Sequence, residues 1–266
     1  MIEAFYGFSM SPFTRQVAED TLFETEQFLE VLARLRYASE KQWFALLTGD
    51  CGTGKSTLIR KLSWALGSKE YKVLYLSDSK LTPRHFYNGL LDQLGVQGRF
   101  YRGDSKKLLH KEVELMRGVH GLRPVVIVDE AHLLDKEMFE EIRFLLNCRM
   151  DSESPLSLIL VGQTEVWDKL RKQVYTAVVQ RLDLKCHLAH FDEASTKSYI
   201  LHHLRIAGST SDIFSDDAVK EIFRYSSGNP RLINKACTHC LMYGNQHRKK
   251  IIDDHIARHV IEKELP

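Results

Sequence analysis

The chain has 266 residues, a formal net charge of +2 and a pI near 8.2. That length suits one large domain or two smaller ones with a sizeable core, and the mild basicity means that any nucleic-acid surface must be a local patch. Hydrophobic content of 44% and charged content of 27% are ordinary for a soluble globular protein, and no apolar run approaches the roughly 20 residues that a bilayer span needs.

Residues 1–20 read as an extended, partly docked arm with a turn at Ser11-Pro12-Phe13. The start, Met1-Ile2-Glu3-Ala4-Phe5, lacks a basic region followed by an apolar core, so no signal peptide is expected. Five cysteines (Cys51, Cys148, Cys186, Cys237, Cys240) are odd in number and mostly scattered, which predicts reduced thiols and a cytoplasmic location. A helix is expected from Glu24 to Glu40, with Leu29, Leu32, Leu35 and Tyr37 as most of its apolar stripe. Trp43 to Thr48 is an apolar run of strand length.

Directly after that run stands Gly49-Asp50-Cys51-Gly52-Thr53-Gly54-Lys55-Ser56-Thr57, which fits G-x-x-x-x-G-K-[ST] at every specified position. The glycines let the backbone curl so that successive N–H groups point at phosphate oxygens. Lys55 adds a point charge within reach of β and γ phosphates, and the Ser56 hydroxyl suits Mg²⁺. A helix from Thr57 to Leu66, stopped by Gly67, aims its positive end at the same anion. The bland alternative is a glycine-rich turn with a chance lysine.

Val73 to Leu76 reads as a strand, Ser77 to Pro83 as a polar loop, and a helix runs from near Arg84 to Leu94. Residues 95–105 form a loop with basic and aromatic members, followed by an amphipathic helix from Lys106 to Gly118. Pro124 to Val128 is a buried-type strand ending in Asp129 and Glu130. Ligands of a parallel α/β sheet gather at the carboxyl ends of its strands. Asp129 is therefore expected beside Ser56, holding Mg²⁺ through water, and Glu130 is placed to accept a proton from the attacking water. The alternative is an acidic pair capping the next helix, although its position about 75 residues after a P-loop is what this architecture produces.

Leu134 to Met150 is predicted helical, Leu156 to Gln163 a fourth strand, and Thr164 to Val179 a helix with Trp167, Leu170 and Val174 on one face. Leu184 to Leu188 offers a fifth strand. After it come four helices with no strand between: Asp192–Ala207, Ser215–Tyr225, Pro230–Gly244 and Asp253–Lys263. The alternation up to about residue 190 predicts a parallel sheet covered on both faces. Two domains are expected, an arm plus α/β domain over 1–190 and a helical domain over 191–266. Cys237-Thr238-His239-Cys240 lies within a helix whose apolar face also uses Ala236, Leu241 and Met242, so buried thiols are expected rather than a metal site.

A P-loop α/β sheet domain followed by a small all-helical lid resembles the AAA+ ATPases. Gln163, ending the fourth strand, matches their polar sensor of the γ-phosphate or lytic water. Gly228-Asn229-Pro230-Arg231 resembles the second sensor motif of the lid, with proline at the first helical turn and Arg231 directed at the phosphates. Val179-Gln180-Arg181-Leu182 sits where this class often carries an arginine finger for the neighbouring subunit, with Arg171 as a competitor. For each arginine the alternative is a surface charge or a partner for a carboxylate. The region of Leu22 and Phe23 packs against adenine in such ATPases, with ordinary core as the equal alternative.

Further segments are similar to the ExeA/GspA-like group: Tyr6-Gly7-Phe8, Ser11-Pro12-Phe13, Leu35-Arg36-Tyr37, Leu160-Val161-Gly162-Gln163, Tyr199-Ile200-Leu201-His202-His203-Leu204 and Gly228-Asn229-Pro230-Arg231-Leu232-Ile233-Asn234. That group includes transposon target-selection ATPases of the TnsC, TniB and MuB type and a secretion-system assembly ATPase. The secretion members carry a membrane segment and a cell-wall-binding module beyond the ATPase. Because this chain ends at Pro266, the transposition helper is the favoured expectation.

The resemblance implies ATP and Mg²⁺ as cofactors, slow partner-stimulated hydrolysis, and a homo-oligomeric ring or helical filament on duplex DNA. The implied partners are a transposase and a target-selector protein, with no membrane. The alternative is a secretion or cell-envelope assembly ATPase. A bore around DNA needs cations and small donors facing phosphates. The candidates are Lys80, Thr82 and Arg84, then Arg99, Arg102, Lys106 and Lys107 near Phe100 and Tyr101, and lastly Arg248, Lys249 and Lys250. For every one the alternative is a solvated charge.

Overall fold

The computed structural model describes residues 2–14, 17–78, 81–146 and 154–265. The chain divides into two compact units: unit 1 takes Met1–Glu26, Gly52–Gly54 and Ala189–Pro266, and unit 2 takes Gln27–Cys51 and Lys55–Leu188.

Unit 2 is built on five parallel strands, β1 (Phe44–Thr48), β2 (Tyr71–Leu76), β3 (Arg123–Val128), β4 (Ser157–Gly162) and β5 (Leu184–His187), in the order β2-β3-β4-β1-β5. Every residue of β1 and β4 is buried, as is β3 after Arg123, which is why these strands are continuous apolar runs. The period of two divides them between two cores. Leu46, Val126, Val128, Leu158 and Leu160 pack with α4 (Pro83–Gln93), α5 (Arg102–Gly118), α6 (Lys136–Leu145), α7 (Glu165–Leu170) and α8 (Thr176–Val179). Ala45, Leu47, Val125, Ile127, Ile159 and Val161 pack on the other face with α2 (Glu26–Lys41) and α3 (Lys55–Leu66).

Unit 1 consists of α1 (Ile2–Tyr6), α9 (Glu193–Ile206), α10 (Asp216–Ser226), α11 (Pro230–Gln246) and α12 (Asp254–Glu264). The side chains of Asp192, Ser215, Asn229 and Asp253 each accept a backbone N–H in the first turn of the helix they precede. Such a cap satisfies an otherwise orphan donor and contributes about 1 kcal/mol. The residues before Glu26 belong to this unit. Phe8 and Phe13 are buried with Tyr199, Ile200 and Leu204, the Ser9 N–H donates to Ala207 O at 2.8 Å, and the Tyr6 hydroxyl donates to Lys249 O at 3.0 Å. The sequence placed this arm with the sheet domain and read it as extended; it begins with a helix and joins the C-terminal helices.

Other local differences have physical causes. The buried stripe of α2 is Phe28, Val31, Leu35 and Ala38, whereas Leu29 and Tyr37 are 47% and 48% exposed. At 3.6 residues per turn Phe28 lies within about 20° of Leu35, while Leu29 lies about 120° away. The α5 helix starts at Arg102 rather than Lys106. The stretch 164–179 is broken, with a 3₁₀ turn at Gln173–Tyr175 between α7 and α8, so Val174 is exposed and Tyr175 and Val178 are buried. The α6 helix runs to Leu145, and the expected helical residues 147–150 lie outside the described ones.

Candidate active site

The carboxyl end of β1 leads into the P-loop, that of β3 into Asp129 and Glu130, and that of β4 into Gln163. Because β4 lies between β1 and β3, parallel pairing brings these three ends to one edge. Gly52 and Gly54 take φ of +92° and +100°, which the loop needs in order to curl. Thr57 belongs to the first turn of α3, which opens at Lys55 and Ser56, so this N-terminus carries free N–H groups and positive dipole. The Lys55 Nζ donates to Gly49 O at 2.7 Å and Asp50 O at 2.8 Å. Burial pulls the Lys55 pKa below the usual lysine value, against the opposing charges of Cys51, Asp129, Glu130 and Asp50. The Thr164 hydroxyl donates to Asp50 Oδ1 at 2.7 Å, tying the loop to the residue after Gln163. Thr53 is buried and Cys51 exposed.

Asp129 is 7% exposed and held at both oxygens. Oδ2 accepts from the Tyr75 hydroxyl at 2.6 Å, and Oδ1 accepts from the Glu130 N–H at 2.8 Å. Burial and the bond to Asp129 drive the Tyr75 pKa up. Glu130 stands in the left-handed region at φ 54°, ψ 34°, with half of its side chain exposed. A non-glycine residue held there costs on the order of 1 kcal/mol, and such positions cluster at functional sites. Its side chain makes no cap to the following 3₁₀ turn Ala131–Leu133, so the helix-capping alternative fails. Within that turn, His132 lies between Glu130 and Gln163. Its Nδ1 is 3.4 Å from Glu130 Oε2, and its Nε2 is 3.2 Å from Gln163 Nε2.

The structure therefore brings together Gly49, Asp50, Lys55, Asp129, Glu130 and Gln163 in unit 2. Arg181 follows α8, half-buried, with its N–H on Val178 O, and Arg171 is exposed at the end of α7. Arg231 is exposed in the first turn of α11, and its N–H donates to the Asn229 cap at 3.0 Å. Also in unit 1, a Cβ added at Gly52 would lie 2.5 Å from Asn229 Oδ1 and 2.9 Å from Arg231 Cβ. Phe23 packs edge-on against Phe191 and Tyr199, at 5.7 and 5.4 Å, so it is core of unit 1.

The charge patches are sorted by their contacts. Lys106 Nζ donates to Glu141 Oε1 at 2.7 Å, and Arg102 Nη1 lies 3.3 Å from both Glu137 and Glu141. These two are counter-ions of an acid buried at 5% exposure, Lys106 mostly covered and Arg102 half exposed. Thr82 accepts from His85 N and caps α4. The Arg84 guanidinium sits 4.6 Å over the Phe100 ring, and Phe100 and Tyr101 are about 70% exposed (71% and 69%). Arg99 is exposed with its N–H on Ser105 Oγ, and Lys107 is exposed. Lys80 lies outside the described residues. Lys250 lies 4.1 Å over the Phe5 ring, and Lys249 O accepts from Tyr6, so this tail anchors α1. Cys237 and Cys240 are buried; burial raises both thiols, Cys240 to about 12. Among the described residues no cluster suits a metal of the cysteine–histidine kind.

Residues 38–170 match the AAA domain family. The chain belongs to the AAA domain family. It is an AAA-type ATPase that binds ATP, with the parallel sheet and C-terminal helical region described above. This AAA domain chain is 32% identical over 246 residues to general secretion pathway protein A of Aeromonas hydrophila. The match covers 91% of the chain and 44% of that protein, so the chain spans less than half of the relative.

Among solved structures it is similar to the ORC2 protein of Aeropyrum pernix in ADPNP-ADP complexes, at 15% identity and a TM-score of 0.70, covering 94% of this chain and 71% of that one. Drosophila ORC bound to DNA gives 17% identity and a TM-score of 0.67, covering 100% and 65%. The RuvB Holliday junction branch migration motor of Thermotoga maritima gives 18% and 0.63, covering 94% and 72%. At these identities the likeness shows the fold. Among the described residues no helix is long and apolar enough to cross a membrane.

Proposed function

We propose that this AAA domain binds ATP with Mg²⁺, assembles with further copies on duplex DNA, and serves as the target-selection adaptor of a transposase. The observation that carries the nucleotide chemistry is the meeting of P-loop, Asp129–Glu130 and Gln163 at one sheet edge. The loop N–H groups and Lys55 hold the triphosphate. The Ser56 hydroxyl and the buried Asp129 carboxylate, an all-oxygen donor set, suit a hard divalent cation. Bound there, Mg²⁺ would neutralise charge on the β and γ oxygens. Glu130 accepts the proton of the water whose oxygen bonds to the γ-phosphorus as the bond to ADP breaks. Gln163 senses the γ-phosphate, Arg231 links it to the helical lid, and Arg181 completes a neighbour's site.

Support for DNA is coarser: a solved neighbour is Drosophila ORC bound to DNA, Arg84 sits over the exposed Phe100, and Arg99 and Lys107 are exposed. A second reading, an assembly ATPase of a secretion system or the cell envelope, is favoured by the 32% identity to general secretion pathway protein A about as strongly. Electron micrographs with a non-hydrolysable nucleotide, with and without duplex DNA, separate the two. DNA-dependent rings or filaments that Lys55→Ala abolishes support the first reading, whereas indifference to duplex DNA sinks it. The transposase link is tested by whether purified transposase from the same locus stimulates turnover.

A further inference from the structure

We propose that His132 is a positioning residue that makes the aim of Glu130 depend on Gln163. The inference rests on the reading of Glu130 as the base. The amide nitrogen of Gln163 can only donate, so across their 3.2 Å separation the imidazole Nε2 is the acceptor. A neutral imidazole with Nε2 accepting carries its proton on Nδ1. That Nδ1 is buried, has no other hydrogen-bond partner, and faces Glu130 Oε2 at 3.4 Å. One contact thus fixes the tautomer, and the other presents an N–H to the carboxylate.

The turn carrying His132 is held from beneath. Lys169 Nζ donates to the carbonyls of Leu134 and His132. A Cβ at Gly162 would come within 3.2 Å of the His132 N–H nitrogen, so glycine there permits the approach of the turn to β4. Glu130 itself is aimed by left-handed backbone, with no side-chain cap to hold its carboxylate. When Gln163 turns toward a γ-phosphate, the imidazole loses its donor and the carboxylate is re-aimed. Base geometry then follows occupancy of the sensor.

The test is steady-state ATP turnover by the full chain. His132→Ala is expected to lower kcat about tenfold with KM for ATP within about twofold, since the phosphate grip is untouched. His132→Gln, whose amide supplies one acceptor and one donor, is expected to recover kcat to within about threefold of the parent. In a Gln163→Ala background, His132→Ala is expected to cost less than about twofold more. Unchanged kcat in His132→Ala, while Glu130→Gln abolishes turnover, overturns the positioning role and leaves the base assignment standing. Equal losses in His132→Ala and His132→Gln overturn it as well, because a hydrogen-bonding role predicts rescue. Full turnover in Glu130→Gln removes the base assignment itself.

Discussion

Replacing Glu141 by glutamine keeps the side-chain shape and removes its charge. In the native protein this carboxylate accepts from the Tyr87 hydroxyl at 2.6 Å and from Lys106 Nζ at 2.7 Å, with Arg102 at 3.3 Å. Burial pushes its pKa up, but the bonds from Lys106 and Tyr87 and the two cationic charges more than offset that, leaving it below the usual carboxylate value. A charge-assisted bond is worth about 1.5–3 kcal/mol. Lys106 is 28% exposed, which reduces its share to about 1–2 kcal/mol, and the half-exposed Arg102 adds about 0.5. The loss is therefore about 2 kcal/mol, or roughly 4–8 °C in Tm for a unit of this size. Because the folded pKa is depressed, the contribution is full above the unfolded value of 4.5 and is lost as pH falls through the folded value. Thermal melts at pH 7 and pH 3 check both points: the gap between parent and variant should be wide at the first and narrow at the second. Equal melting at pH 7 would refute the counter-ion assignment.

Tyr75→Phe removes the donor to Asp129 Oδ2 and should cut kcat about three- to tenfold with nucleotide affinity intact; unchanged kcat across an Mg²⁺ titration counts against the orienting role. Burial, with His202 beside it, pushes His203 down to about 4. The unfolded chain takes up that proton near pH 6.5, so stability is full above about pH 7 and falls by up to about 3 kcal/mol toward pH 4. His203→Leu should flatten that slope in denaturant melts, and an unaltered slope excludes His203 as its source. Arg84→Ala should weaken duplex binding about tenfold and lower the salt slope by about one, while Arg102→Ala leaves the slope nearly as it was. A slope that moves with Arg102 and not with Arg84 reverses that ranking.

What was legible in the sequence was what chemistry or burial makes obligatory. The P-loop follows β1 and the Asp129–Glu130 pair follows β3, as the motif spacing implied, and β1, β3 and β4 are apolar runs because both faces are covered. The faces of surface helices were harder: Leu29 and Tyr37 are apolar and exposed, and only the tertiary packing of Phe28 and Val31 singles out the buried side. Side-chain partners between elements were out of reach. Nothing in β2 marks Tyr75 as the residue that meets Asp129, since that follows from register, Tyr75 opposite Ile127. His132 looked like one of 12 histidines until the turn brought it between Glu130 and Gln163. The ion pairs of Arg102 and Lys106 were not legible because their acid, Glu141, lies on another helix.

The polypeptide leaves unit 1 after Glu26 and, apart from Gly52–Gly54, comes back to it only at Ala189. On a ribosome adding about 5–20 residues per second, the leading segment waits roughly ten to thirty seconds for the helices that will cover Phe8 and Phe13. The sheet can close during that interval, whereas the helical unit is obliged to mature last. A fusion tag or deletion at the amino terminus will therefore register as damage near the carboxyl terminus, and the nascent aromatic segment is a natural client for chaperones in the meantime.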